Sequence, residues 1–381
     1  MEVLPRMHEL ACPGCATPSQ FDLRDNLLMC PVCSATFALD SDSGQKEIFG
    51  DHYIVPNTAD PRKVKDLVME WLRRLHHNPT LAEKEYFVTD IRGVSVPFWV
   101  ISLEGHTVWK GLAQRNKRAL ESAPGADYLL ENGQFRRSYR WAVNARGNIC
   151  ETWGIARLHE PKEPINVEWD GFPLDSTFSR GRLQDMENER SAYDSREFFD
   201  FKFSNGLAVQ GIQVNEEEAL RRARTQVELY HYKLASLNVD YLTDHRTELE
   251  IAGIQLIHLP FWHARYVYQP KTALKHLYKP KEKHVLLDGN STGVLKGELA
   301  LVHRDKVWVN ALVTGVASVV MFLLGAAWHP AFFLVALFCV AVSGLSGYIA
   351  TTRVGKRTDY TLKVNSQGIV ADGIKSSSSA A

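Results

Sequence analysis

Two Cys-Pro-x-Cys pairs constrain the fold of this chain more than any other feature of its sequence. They occupy residues 12–15 and 30–33, and fourteen residues separate them. Each pair can form a tight turn that directs two sulfurs to one point, and two such turns build a tetrahedral four-thiolate site suited to Zn²⁺. The sequence therefore predicts a rubredoxin-like zinc ribbon over residues 1–45. The predicted metal ligands are Cys12, Cys15, Cys30 and Cys33.

The pattern of the two pairs argues against other uses of these cysteines. A thioredoxin-like redox dithiol has one CxxC motif at the start of a helix within a βαβ unit, and neither pair fits that arrangement. Four thiolates also close the coordination sphere, so no position stays open for a substrate as it does in a catalytic zinc site. Because so short a segment lacks an apolar core of its own, the metal would supply roughly 10–16 kcal/mol of folding energy.

Two apolar runs near the C-terminus form the second strong pattern. They span Val307–Ala327 and Ala331–Ala350, and each has about the 20 residues that cross a hydrocarbon core of ~30 Å. Lys and Arg flank the pair and are absent from the turn, which places both termini in the cytoplasm by the positive-inside rule. The sequence therefore predicts a two-helix transmembrane hairpin over residues 304–351 and a cytoplasmic tail over 352–381. The alternative is a buried helix pair in a globular domain.

The middle of the chain contains a weak internal repeat. The first copy has Tyr53–Pro56, a helix, and Val94–Val100, and the second has Ile212–Asn215, a helix, and Leu256–Ala264. Both copies end in Pro-Phe-Trp. Asp60 with Pro61 and Asn215 with three glutamates are typical of helix starts. The fold class predicted is α+β: the ribbon, two small α+β repeats with antiparallel sheets, over residues 46–159 and 197–303, a linker over 160–196, and the hairpin.

The two Pro-Phe-Trp segments have two interpretations. Proline removes a ladder hydrogen bond, so each segment marks a strand edge or bulge, and the aromatic side chains then serve as core anchors. The functional alternative is a paired aromatic groove for a partner segment, and packing is the favoured interpretation. His258 and His263 flank the second segment, but residues five apart on a strand face opposite ways and cannot easily share a metal.

No catalytic signature accompanies these elements. The sequence contains no phosphate-binding glycine loop, HExxH motif or nucleophile elbow, and it predicts no catalytic or cofactor-binding residue and no enzyme. With 44 Lys+Arg and 44 Asp+Glu the chain has no net charge, so nucleic acid could be attracted only by a local patch. Basic clusters occur at residues 62–65, 115–118, 136–140, 221–224 and 279–283. Most are expected to be solvated faces balanced by nearby acids.

The combination of an N-terminal Cys-Pro-x-Cys ribbon, repeated Pro-Phe-Trp strands and a C-terminal hairpin resembles bacterial membrane-anchored zinc-ribbon proteins. Such proteins are often described as having a transcription-factor-type zinc ribbon, and some accompany phage-shock/ESCRT-III-like or flotillin-like membrane proteins. Only the ribbon cysteines form a specific motif. The resemblance implies a multi-pass protein of the inner membrane. It also implies an adaptor that recruits cytosolic proteins there in membrane stress or remodelling.

Three hypotheses follow in order of preference. The first is the zinc-binding adaptor, whose partners are the lipid bilayer and cytosolic proteins. The second is a membrane-tethered zinc-ribbon protein that binds nucleic acid through the ribbon and the basic clusters, with affinity that falls steeply with salt. The third is an enzyme with an unrecognised site in the middle of the chain. Small residues in the apolar runs permit self-association into a homo-oligomer, which the sequence does not decide.

Overall fold

A computed structural model of the chain gives the architecture. It describes residues 7–22, 24–39, 46–75, 84–114, 128–147, 167, 169–175, 193–269, 281–291, 293–298, 302–349, 361–365 and 368–371. The predicted linker over 160–196 lies mostly outside these residues. Two compact units make up the chain. One contains Met1–Asp60, Arg92–Trp262 and Leu286–Leu295, and the other contains Pro61–Ile91, His263–Val285 and Lys296–Ala381.

The N-terminal ribbon consists of two small antiparallel sheets. Strands β1 (Met7–Ala11) and β2 (Pro18–Asp22) form a hairpin across the first Cys-Pro-x-Cys pair. Strands β3 (Leu27–Met29), β4 (Thr36–Leu39) and β5 (Lys46–Ile48) form the second sheet, with the second pair in the turn between β3 and β4. The rings of Phe21 and Phe37 meet edge to face between the two sheets at 5.3 Å.

The rest of the first repeat is built from one helix and four strands. Strand β6 spans His52–Ile54, helix α1 Pro61–Leu75, strand β7 Tyr86–Gln114, strand β8 Tyr128–Asn144 and strand β9 Gly171–Pro173. Helix α1 begins at Pro61 as the sequence predicts. The apolar stripe of that helix is buried at Val64, Val68 and Leu72.

The second repeat has the same order of elements. After strand β10 (Glu197–Phe198) and a short 3₁₀ helix (Phe201–Ser204) come strand β11 (Ala208–Val209), helix α2 (Glu216–Ser236) and strands β12 (Tyr241–Tyr268), β13 (Lys281–Asp288) and β14 (Val294–Glu298). The side chain of Asn215 accepts the backbone N–H of Glu218, which confirms the predicted N-cap of α2.

Each repeat has a short strand before its helix that pairs with the long strand of the other repeat. Strand β6 of the first repeat pairs in parallel with β12 of the second, Tyr53 opposite Ile257. Strand β11 of the second repeat pairs in parallel with β7 of the first, Ala208 opposite Val94. Each of these two pairings lies three residues before a Pro-Phe-Trp segment. The sequence repeat therefore corresponds to interleaved elements with the same register, not to two separate sheets.

Strand order differs between the two units. In the first unit β12, β7, β8 and β9 are neighbours in that order, with β6 beside β12 and β11 beside β7. The second unit has the order β12, β13, β14, and then strands β15 (Thr361–Asn365) and β16 (Gly368–Ala371). Part of the predicted tail over 352–381 is thus paired sheet, because β15 runs antiparallel to β14.

These observations correct the predicted fold class. The described chain is mostly strand, and the expected pair of small separate α+β repeats is wrong, since the repeats share one large mixed sheet. Strands β7 and β12 alone span 29 and 28 residues. Both Pro-Phe-Trp segments lie inside these strands, and Phe98, Trp99, Phe261 and Trp262 are buried, as a packing role requires.

The C-terminal apolar runs form a pair of packed helices. Helix α3 spans Val302–Ala327 and helix α4 spans Ala331–Ile349. The Ser343 hydroxyl donates to the Ala311 carbonyl at 2.7 Å, and the rings of Phe322 and Phe333 meet at 5.2 Å. The outer sides of both helices are apolar and exposed, with Leu312, Val316, Val319, Leu323, Leu334, Leu337, Phe338 and Leu345 among the exposed side chains.

The predicted transmembrane hairpin over 304–351 is wrong by the criterion of length and hydropathy. In the part of the chain that the structure describes, no helix is both long and apolar enough to cross a membrane. The prediction of a multi-pass inner-membrane protein with cytoplasmic termini depended on this hairpin and is therefore wrong as well.

Candidate metal centre

The four predicted cysteine ligands meet at one point of the ribbon. Their sulfur atoms all lie within 4.8 Å of one another. The Sγ atoms of Cys12 and Cys33 are 3.6 Å apart, and those of Cys15 and Cys30 are 3.8 Å apart. Each turn thus contributes one sulfur to each close contact. The structure therefore brings together every residue of the predicted site in a cluster that can hold a metal ion.

The two turns have the same backbone geometry. In the first, the Ala16 N–H donates to the Cys12 carbonyl at 2.9 Å, and in the second the Ser34 N–H donates to the Cys30 carbonyl at 3.0 Å. Both closing residues are left-handed, with φ of 59° at Ala16 and 61° at Ser34. That conformation costs about 1–2 kcal/mol in a residue with a Cβ atom. Its presence in both turns shows that sulfur placement outweighs local backbone preference.

Gly14 allows the two turns to approach each other. A Cβ atom at this position would lie 3.2 Å from the Cβ atom of Ala35 and 3.5 Å from the sulfur of Cys33. Its backbone N–H lies 3.3 Å from the sulfur of Cys12, to which it donates a hydrogen bond. The first turn therefore contributes a backbone donor to the cluster as well as two sulfurs.

Within the cluster the thiols of Cys15 and Cys33 differ widely in pKa. Hydrogen bonds from the side chain and backbone of Thr17 lower the pKa of Cys15 to about 6. The pKa of Cys33 is raised to about 12: the backbone hydrogen bond from Ala35 lowers it, but burial and the three neighbouring thiols outweigh that contact. A bound cation would remove this difference, because a coordinating thiol is deprotonated outright.

The loop between β2 and β3 attaches the ribbon to the second repeat. The Asn26 N–H donates to the Ile212 carbonyl at 2.6 Å, and the Asn26 side chain donates to the carbonyl of Gln213. Asp25 lies directly over Gly211, where a Cβ atom would be 1.8 Å from its carboxylate. Burial raises the pKa of Asp25 to about 6, and Arg146, 3.7 Å away, opposes that rise.

The second metal turn has its own attachment to the same repeat. The Ser34 hydroxyl accepts the backbone N–H of Phe201 at 3.3 Å and lies 3.5 Å from a carboxylate oxygen of Asp200. Ser34 follows Cys33 directly, so this contact holds the turn that carries two of the four sulfurs. The metal cluster is therefore connected to the repeat core within one residue of a ligand.

A buried chain of hydrogen bonds runs from the ribbon into both repeats. The Thr36 hydroxyl is 2.6 Å from Nδ1 of His52, Nε2 of His52 is 2.8 Å from Nδ1 of His258, and Nε2 of His258 is 3.0 Å from the Gln210 carbonyl. Since a carbonyl only accepts, His258 donates from Nε2. With both imidazoles neutral, each Nδ1 accepts a hydrogen bond and each Nε2 donates one. Burial lowers the pKa of His258 to about 4 and lowers the pKa of His52 well below its ordinary 6.5.

No motif in the sequence indicates this chain of hydrogen bonds. His258 flanks a Pro-Phe-Trp segment, and His52 and Thr36 belong to no motif. The pairing of β6 with β12 brings His52 next to His258, and no sequence signal links two residues so far apart in the chain. His263 lies apart from it, stacked on His284 with 3.1 Å between Nε2 and Nδ1.

Several predicted basic clusters are balanced by acids. Arg136 pairs with Glu104, and Arg140 pairs with Asp175 at 3.1 Å. In the cluster over residues 221–224, Arg221 and Arg222 both bind Glu218, and their hydrogen bonds lower the pKa of that carboxyl to about 2. Residues 115–118 lie outside the described part of the chain.

Comparison with known proteins adds no assignment. No protein-family model, no curated protein and no solved structure matches the chain. The resemblance to bacterial membrane-anchored zinc-ribbon proteins therefore stays a prediction from the sequence, and the function must be argued from the site and the exposed surfaces.

Proposed function

We propose that the protein is a zinc-stabilised adaptor that recruits a partner through an apolar surface and has no catalytic metal. Zinc is favoured by the donor set and its spacing. Four thiolates arranged tetrahedrally at ~2.3 Å from Zn²⁺ are about 3.8 Å apart. The two closest sulfur contacts in the cluster, 3.6 Å and 3.8 Å, agree with that spacing.

The role proposed for the zinc is structural. Four protein thiolates fill a tetrahedral sphere and leave no position for water or substrate. The surrounding contacts are also those of a module fixed to the rest of its unit, through Asn26, Ser34 and Thr36. The metal would therefore order the ribbon and, through these contacts, the segments of the repeats that it touches.

The observation that carries the recruitment role is the exposed apolar face of α3 and α4. Soluble monomers rarely expose contiguous apolar patches above a few hundred Å². Here a run of large aliphatic and aromatic side chains on both helices is exposed, including Leu323 at 62% and Phe338 at 68%. Such a surface needs a covering partner, and only an apolar partner surface gains free energy by covering it.

The nucleic-acid alternative has less support. A phosphate-binding surface needs cations that are free to release counter-ions. The described clusters around Arg136, Arg140 and Arg221 instead hold acids of their own chain. The adaptor role is therefore the function that we propose.

The zinc part of the proposal is tested by metal content. The protein should contain one zinc per chain, and the double variant Cys12→Ser/Cys15→Ser should contain none. Cys339→Ser in α4 is the matched control, since this cysteine lies outside the cluster and its loss should leave the metal content unchanged. Retention of zinc by the double variant would contradict the assignment of the site.

The recruitment part is tested by site-specific photocrosslinking in cells. A crosslinking residue at Leu337 should give a discrete protein adduct, whereas one at the equally exposed Leu237 in the other unit should give none. The double substitution Leu337→Ser/Phe338→Ser should abolish the adduct of a crosslinker placed at Leu334. Flotation with liposomes in place of a protein adduct would mean that lipid covers the surface, and the adaptor proposal would then fail.

A further inference from the structure

A cavity of about 330 Å³ opens on the first unit, beside the end of strand β8 and helix α2. Its wall includes Arg137, Tyr139 and Arg140 of β8, Pro173 at the end of β9, Asp175 beyond it and Tyr230 of α2. This volume is at the lower end of the range of small-molecule sites, about 300–1,000 Å³. None of these residues belongs to the metal centre or to the apolar surface of α3 and α4.

The cavity combines a cation with flat apolar walls. Successive side chains of a strand alternate between its faces, so Arg137 and Tyr139 share one face of β8 and Arg136 lies on the other. Tyr139 packs edge to face on Tyr230, with ring centroids 5.9 Å apart, and Pro173 adds a further apolar wall. Arg140 is paired with Asp175 at 3.1 Å, which neutralises the one carboxylate on the rim.

Arg137 is the charge without a partner of opposite sign. Among the described residues no acidic side chain pairs with it, and it is largely exposed. Its charge reaches three neighbours, because it opposes the burial that raises the pKa of Tyr139 and of Tyr230 and adds to the burial that lowers the pKa of His231 to about 4.

A buried hydroxyl lies next to this cation. The Tyr139 hydroxyl has no well-formed hydrogen bond among the described residues, and the Arg137 guanidinium is the polar group beside it. The His231 ring is fully buried against Tyr139, with centroids 5.4 Å apart. A poorly paired buried hydroxyl is costly, so a ligand oxygen that binds both the Tyr139 hydroxyl and Arg137 would recover part of that cost.

We propose that this cavity binds a small organic anion, whose phosphate or carboxylate group meets Arg137 and the Tyr139 hydroxyl and whose flat apolar body lies against Tyr139, Tyr230 and Pro173. A guanidinium donates to such oxyanions through a planar fork of N–H groups. The size of the cavity restricts the ligand to a metabolite rather than a polymer segment. The site is independent of the proposed adaptor role.

Calorimetric titration of the purified, zinc-loaded full-length protein with phenyl phosphate tests this inference. Saturable binding is expected, with benzoate in a parallel titration showing whether the oxyanion is a phosphate or a carboxylate. Benzyl alcohol, which has the ring and no charge, should not bind measurably. Absence of saturable binding by both anions, or equal binding of benzyl alcohol, would overturn the proposal.

Three variants locate the site. Arg137→Met should weaken binding at least tenfold, which corresponds to about 1.4 kcal/mol, and Tyr139→Phe should weaken it by a smaller factor. Arg136→Met is the matched control because Arg136 is not among the residues of the cavity wall, and the affinity of this variant should equal that of the parent. Both arginine variants should unfold at the temperature of the parent, since Arg136 and Arg137 are exposed. Equal affinity of the parent and Arg137→Met would overturn the proposal.

Discussion

Nε2 of His52 lies 2.8 Å from Nδ1 of His258, although 206 residues of chain separate them. His52 stands on the first strand of one repeat and His258 on the Pro-Phe-Trp strand of the other. The Thr36 hydroxyl of the ribbon hydrogen-bonds to Nδ1 of His52. This pair of imidazoles thus joins three parts of the first unit in one buried contact.

Acidification should weaken the protein through these two histidines. Their folded-state pKa values lie below the ordinary 6.5, at about 4 for His258. Between these values the unfolded chain binds protons that the folded chain does not, so stability is present above pH 6.5 and is lost as the pH falls. The expected loss is about 1.4 kcal/mol per pH unit for each histidine.

Denaturant unfolding at several pH values between 5 and 6.5 measures this slope. The variant His258→Gln removes one titrating group and should reduce the slope by about 1.4 kcal/mol per pH unit. The contributions of His231, whose pKa is also lowered, and of Asp25, whose pKa is raised, stay the same in parent and variant. A slope equal to that of the parent protein would contradict the assignment of neutral imidazoles.

Gly171 and Gly297 should be intolerant of a side chain. A Cβ atom at Gly171 would lie 2.1 Å from Oε1 of Gln226, and one at Gly297 would lie 2.4 Å from the ring of Trp71. Overpacking of this kind typically costs about 1–3 kcal/mol, so Gly171→Ala and Gly297→Ala should lower the free energy of unfolding. Gly253→Ala, with nothing within 4 Å, is the control and should unfold at the same denaturant concentration as the parent.

The indoles of the two Pro-Phe-Trp segments should contribute to stability through their N–H groups. Trp99 donates to the Val214 carbonyl at 2.7 Å, and Trp262 donates to the side chain of Asn57 at 3.1 Å. Trp99→Phe removes the indole donor to the buried Val214 carbonyl and should cost about 1–3 kcal/mol on top of lost packing. Trp262→Phe should cost less, because the Asn57 side-chain oxygen still accepts the Ala59 N–H at 3.3 Å. A double-mutant cycle of Trp262→Phe with Asn57→Ala should show a coupling energy above zero, and additive effects would contradict the contact.

Substitution by glycine at the two left-handed positions of the metal turns should have different effects on stability. Ala16 has φ of 59°, so Ala16→Gly should relieve strain and stabilise the zinc-bound ribbon by about 1 kcal/mol. Ser34→Gly relieves similar strain but removes the hydroxyl that binds Phe201 and Asp200. We expect no net gain for Ser34→Gly in chelator-challenge or thermal unfolding experiments, and equal gains for both variants would argue against the Ser34 contact.

The metal cluster and the helix starts could be predicted because their determinants are local. Cys12, Cys15, Cys30 and Cys33 carry their geometry in the spacing of two short turns. Pro61 and Asn215 mark helix starts through backbone rules that act within one turn. The structure brings the four cysteine sulfurs together and begins the two helices at Pro61 and directly after Asn215.

The shared sheet could not be predicted because its determinants are not local. The partner of Val94 is Ala208, and the partner of Tyr53 is Ile257. The outer part of β12, from Tyr241 to Glu250, is mostly polar and exposed, so it lacks the apolar alternation that would have indicated a strand. The hairpin error has a different origin, since an apolar run in the sequence does not by itself establish a span.

The strand exchange between the repeats determines when this protein can fold. Strand β7 cannot receive its parallel neighbour until Ala208 and Val209 have been synthesised, and at roughly 5–20 residues per second the ribosome takes on the order of ten seconds to deliver them. The first repeat therefore leaves the ribosome with an open edge. A break in the chain between the repeats would leave two fragments, neither of which has all its partners, and they could complete the sheet only by finding each other in trans.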